Sequence, residues 1–158
     1  MTGNPNSRLT FKLTDMKNVF VALCSLFLFL SLPLNATSAT PDNEGVIEAT
    51  VAAIKSACPI KMAADNNVQL VDVSYVDKTV VYDYSVSTID SDVSASQFKK
   101  SMVEMLIGEC RMSAETKYFF TLVAETGGQV KYNYTSRSGK NLAIVITNEE
   151  LKKALSKL

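Results

Sequence analysis

The chain contains no histidine, so the side chains able to do chemistry are carboxylates, phenols, amines and thiols. Triads of the Ser-His-Asp and Cys-His kinds are therefore excluded, as are zinc sites with imidazole ligands. One carboxylate pair is brought together by strand register. In VQLVDVSYVDKTVVYDYSVS, residues 68–87, a two-residue turn at Asp77-Lys78 sets Asp72 opposite Asp83. Two carboxylates at that spacing can share a proton or bind a cation. Left to solvent they merely repel, at a cost of about 0.2–1 kcal/mol. The run Asp90-Ser91-Asp92, followed by Ser94, resembles the start of a calcium loop. Ala95 and Ser101 stand where the glycine and the closing acid belong, so it reads as a loop leading into a helix. No metal and no cofactor is expected. Arg137 and Lys140 flank Ser138-Gly139 in a basic loop that can meet a partner. Tyr75, Tyr82, Tyr84, Tyr132 and Tyr134 either line a groove or fill a core with their hydroxyls at its rim.

These residues sit on elements that the hydrophobic pattern defines. Asp42 can cap a helix whose apolar residues Ile47, Val51, Ile54 and Cys58 recur at helical spacing, and Pro59 stops it. Residues 60–67 read as a polar linker. The hairpin follows, with Val71 expected opposite Tyr84, Val73 opposite Tyr82 and Tyr75 opposite Val80 on its dry face. The wet face carries Asp72, Ser74, Asp83 and Ser85, the alternation of a sheet covered on one side. Ser94-Ala95-Ser96-Gln97 has the form of a capping box. The helix after it buries Phe98, Met102, Met105 and Leu106, with Lys99, Lys100, Glu104 and Glu109 as its polar face.

Residues 113–126 have strand propensity, but Ser113 can cap a helix there and Gly127-Gly128 can end it. A helix is the reading adopted. A second hairpin spans residues 130–147. A three-residue loop, Arg137-Ser138-Gly139, pairs Tyr134 with Leu142, Tyr132 with Ile144 and Val130 with Ile146, and so buries the larger residues. Asn148-Glu149-Glu150 opens a short last helix with Leu151, Ala154, Leu155 and Leu158 on its apolar side. The expected fold class is α+β in the order α-β-β-α-α-β-β-α, a four-stranded antiparallel sheet of two hairpins with helices packed on one face.

The first 39 residues read as targeting. Met16-Lys17 leads into the uncharged apolar run of residues 19–32, then Pro33 and the small residues Ala36-Thr37-Ser38-Ala39, the regions of a signal peptide cleaved after Ala39. Residues 1–15 make a poor leader start, and Met16 is the better one. The run is short for a membrane span, so membrane contact is expected only if it is retained. Residues 40–158 then form a single domain. Of the 16 basic and 16 acidic residues in the chain, residues 40–98 hold 3 and 9, and residues 99–158 hold 10 and 6. Such asymmetry either marks a partner surface or mingles on one sheet. With no net charge there is no nucleic-acid footprint. Cys58 and Cys110 are the two cysteines beyond the signal, each at a helix end on the apolar side. In an oxidising compartment a single disulfide between them is expected, with two buried thiols as the alternative.

Cys58-Pro59 with Asp65, the Val68-x-Leu70 strand, Val80-Val81-Tyr82-Asp83-Tyr84, Phe98, Cys110, Tyr132-Asn133-Tyr134 and Gly139 together resemble a family of small exported proteins of Gram-negative bacteria. The resemblance covers most of residues 57–146. It implies a periplasmic or secreted location and, since the family has no assigned activity, no particular chemistry. The functional expectation is an exported binding domain for an unknown protein or cell-envelope ligand. The alternatives are an inhibitor or immunity-type protein acting through the Arg137 to Lys140 loop, and a histidine-free hydrolase using Asp72 and Asp83.

Overall fold

The computed structural model describes residues 42–62, 67–87, 89 and 94–158. The segment expected to be a signal peptide, Asp65 and the Asp90-Ser91-Asp92 run lie outside these. Helix α1, Asn43–Ala57, begins where the Asp42 carboxylate accepts from the Gly45 N–H at 2.8 Å and buries Ile47, Val51 and Ile54. Beyond Pro59 the expected linker instead supplies a strand, β1, Ile60–Lys61, paired with Leu70 and Gln69. Strands β2, Val68–Val76, and β3, Thr79–Val86, form the first hairpin. Asp77 and Lys78 both have positive φ, 48° and 58°, so the turn twists with its strands. Val73 meets Tyr82 and Tyr75 meets Val80 as expected, but a bulge between Leu70 and Asp72 puts Leu70 opposite Tyr84. Val71, expected in the core, is thereby turned outward and is 41% exposed.

Helix α2, Ala95–Met112, starts at Ser94 without the expected capping box, because the Ser94 hydroxyl bonds the Ser96 hydroxyl at 2.8 Å. Its buried side holds Phe98, Met102, Leu106, Ile107 and Cys110, and also Glu109, which the sequence reading placed among the polar residues. Ser113 is the joint to α3, Ala114–Glu125. Its N–H closes α2 on the Glu109 carbonyl, and its hydroxyl accepts from the Thr116 N–H at 3.0 Å. The ambiguous stretch is thus helical. Thr116, Phe119, Phe120, Leu122, Val123 and Ala124 face inward, and Gly127 takes a φ of 77° just past its end.

Strands β4, Gln129–Ser136, and β5, Asn141–Ile146, pair in the expected register, Tyr134 with Leu142, Tyr132 with Ile144 and Val130 with Ile146. Gly139, at φ 81°, occupies the left-handed position of the loop. Helix α4, Asn148–Leu155, opens with a capping box between Thr147 and Glu150.

Among the described residues the strands form one five-stranded sheet in the order β1-β2-β3-β4-β5. It is mixed rather than antiparallel, because β3 and β4 run parallel. Parallel neighbours require a long crossover, and α2 with α3 supplies it, returning the chain to the start of β3. There Gln129 N–H donates to the Lys78 carbonyl at 3.0 Å. Gly128 is required at this approach: a Cβ would lie 2.6 Å from the Lys78 oxygen and 2.9 Å from the Val123 oxygen. The parallel register sets like against like. Tyr82 stacks on Tyr132 at 5.3 Å and Tyr84 on Tyr134 at 5.0 Å, with Phe98 edge-on to Tyr134. These four tyrosines are core, not groove, and the helices close over them.

Candidate functional site

Asp72 and Asp83 do stand opposite each other, but each is turned to a different partner. Lys55 of α1 reaches the Asp72 carboxylate at 2.9 Å, and the Asn133 amide of β4 donates to Asp83 at 2.8 Å. Each carboxylate is thus held by a partner of its own rather than by the other. Among the described residues no group of three or more Cys, Asp or Glu side chains is placed to hold a metal ion.

The basic loop of Arg137 and Lys140 is exposed but short. Ser136 N–H donates to the Lys140 carbonyl, Gly139 N–H to that of Ser136, and the Lys140 ammonium to that of Ile89, so the loop is a tight hairpin end.

Cys58 and Cys110 stand in the structure as free thiols, without the bridge expected between them. The Cys58 Sγ lies 3.5 Å from the Ile54 carbonyl one turn back in its own helix, while Cys110 is buried in the core. Burial pushes the Cys110 thiol up to about 11, with Glu109 adding to the effect, so it is an unreactive apolar filler.

The cavity that does gather unspent charge lies between α2 and α4. It measures about 340 Å³. Its apolar surface is Val103, Ile107 and Ala154, and its lysines are Lys99, Lys100, Lys153 and Lys157, against Glu104 and Glu150. Helical spacing builds one wall, where Lys100, Val103, Glu104 and Ile107 follow one side of α2, while Lys153 near the end of α4 and Lys157 just past it form the other. Lys99 binds Glu150 at 2.7 Å. Burial alone pushes the Glu150 carboxyl up, but the hydrogen bonds from Lys99 and from Thr147 outweigh it and hold the group below the usual carboxylate range. Glu150 is thus committed to its helix cap and to Lys99. Lys100, Lys153 and Lys157 have no carboxylate within ion-pair distance among the described residues. The result is an electropositive cleft over a small apolar floor.

Sequence reasoning named Lys99 and Lys100 as a polar face and missed the cleft, because its second wall comes from a helix some fifty residues away in the chain. The surplus of basic residues after residue 98 was the available signal. In the sheet the halves of the chain do not interleave: β1 to β3 belong to the acidic half and β4 and β5 to the basic one, and they join at the β3–β4 seam. Nine of the ten lining residues of the cleft lie in the basic half, Ser96 being the exception.

No protein-family model and no curated protein matches the chain. Among solved structures it is similar to a "putative secreted protein" from Pseudomonas aeruginosa, with 12% identity over 72% of this chain and 98% of that one, at a TM-score of 0.47.

Proposed function

We propose that the chain from residue 40 onward is a small exported binding domain, periplasmic or secreted, and that it takes an anionic ligand with an apolar part in the cleft between α2 and α4. The observation that carries this reading is the lining of that cleft, four lysines around Val103, Ile107 and Ala154 in about 340 Å³. Small-molecule sites commonly have volumes of about 300–1,000 Å³ and combine an apolar body with a few placed charges. The ammonium groups draw in and orient the anion while the floor accepts its hydrocarbon. The hydrolase and inhibitor readings have less to stand on, since Asp72 and Asp83 are each partnered and the Arg137 to Lys140 loop is a tight turn.

Titration with octyl phosphate tests the reading, with inorganic phosphate and octyl glucoside as controls. Octyl phosphate is expected to bind best, to weaken as salt is raised, and to weaken further in a Lys153→Glu, Lys157→Glu variant by about tenfold or more. Equal binding of octyl glucoside, or an unchanged affinity in the double variant, counts against the lysines. No binding of octyl phosphate counts against the cleft.

A further inference from the structure

The two edges of the sheet are treated differently. On the β2 side the edge is guarded: β1 pairs with Gln69 and Leu70, Met62 N–H bonds the Val68 carbonyl, and next come the bulge and Asp72 carrying Lys55. Bulges and charges are what keep an edge from pairing with another chain. On the other side, β5 has a neighbour on one flank only among the described residues. Its sequence NLAIVI has five consecutive apolar residues, no charge and no proline. A strand of that composition on an open edge is a template for pairing.

The hydrogen bonding identifies the groups on offer. Ser136 and Lys140 form a hydrogen-bonded pair, Ser136 N–H to the Lys140 carbonyl at 2.8 Å. Bonded pairs alternate along an antiparallel ladder, so Leu142, Ile144 and Ile146 spend their backbone groups on β4. Asn141, Ala143 and Val145 therefore direct N–H and C=O away from the sheet. Their side chains lie on the face away from the helices, where Asn141 and Ala143 are exposed and Val145 half-buried.

We infer that β5 pairs antiparallel with β5 of a second copy about a two-fold axis at Ala143, joining two sheets into one. A two-fold normal to the sheet requires opposed residues to share a face, and bonding requires them to be the outward-directed ones. Both conditions are met with Ala143 facing its own copy and Asn141 facing Val145 of the other chain. That register makes about six backbone hydrogen bonds. The residue on the axis must tolerate itself, and Ala143 is small and uncharged. Leu142, half-buried in one copy, then neighbours Ile144 of the other on the helix-covered face. The contact is isologous and consumes both free β5 edges, so assembly stops at two. Its small extent makes the dimer weak and reversible.

Sedimentation of the mature protein over a concentration series tests this. The wild type is expected to show a monomer–dimer equilibrium. Ala143→Lys and Ala143→Glu each set like charges against each other on the axis and are expected to weaken dimerisation by about tenfold or more, while an equimolar mixture of the two recovers it. A wild type that stays monomeric to its solubility limit overturns the inference, even if some other strand-forming partner is found. So do variants that dimerise as tightly as the wild type. Amide exchange on the wild type reads the same contact without mutation: protection at Asn141, Ala143 and Val145 should rise with protein concentration, and concentration-independent exchange there would overturn it.

Discussion

Glu109 shows what one charged residue does on a buried helix face. It is 5% exposed, and its Oε2 is buried without a hydrogen-bond partner among the described residues. Burial pushes its carboxyl up to about 7, from an ordinary value of 4.5 in the unfolded chain. Between those values the folded state binds more protons than the unfolded one, so stability falls as pH rises from 4.5 through 7 and the loss is complete above that range. Denaturant melts at pH 5 and pH 8 are expected to show the wild type losing on the order of 2 kcal/mol from this group, with the loss absent in Glu109→Gln. Equal pH dependence in both proteins would place the titration elsewhere. Periodicity contained this signal: residue 109 is seven positions from Met102 and falls on nearly the same line of the helix. Residue type, which argues for an exposed glutamate, hid it. Glu109 also stands apart from the tyrosine hydroxyls. A buried phenol without a hydrogen-bond partner among the described residues, as at Tyr82, stays neutral because burial raises its pKa, so it costs desolvation but carries no charge.

At the scale of elements, the seam between β3 and β4 carries the greatest consequence. Tyr82 is 1% exposed, stacked on Tyr132 and opposite Val73, whereas the side chain of Asp83, its neighbour in sequence, is on the opposite face and accepts a hydrogen bond from Asn133. Tyr82→Ala is expected to cost about 3–5 kcal/mol and Asp83→Ala about 1. Thermal melts of the two side by side check this, and comparable losses would mean the faces are assigned wrongly. The alternation that separates these residues is local and was readable in VVYDY, as was the hairpin register that places Val73 on Tyr82. The stacking partner was not readable. Val80-Val81-Tyr82-Asp83-Tyr84 and Val130-Lys131-Tyr132-Asn133-Tyr134 look alike, and that likeness is what a parallel pair with tyrosine on tyrosine displays. Yet nothing local says whether two hairpins meet parallel or antiparallel, since that depends on where the intervening helices deliver the chain.

For the molecule as a whole, export organises the expectations. The apolar run of residues 19–32 and the small residues before position 40 predict that N-terminal sequencing of the periplasmic or secreted form starts at Thr40. A membrane-bound product that retains the run would refute this. Among the described residues no helix is long and apolar enough to cross a membrane. What the amino-acid order determined unaided was most of what near neighbours set: helix spans and most caps, both turns, the faces that β3, β4 and β5 bury and the second hairpin's register. Capping, turn geometry and amphipathic period act over a few residues and are therefore legible in a string. Tertiary structure alone decided the rest. It set the parallel seam, the two-residue strand β1, the bulge that turned Val71 outward, the two thiols left unbridged and the cleft between α2 and α4. Each of these depends on which distant segments the packing of the core brings side by side, and hydrophobic burial drives that packing without encoding it locally.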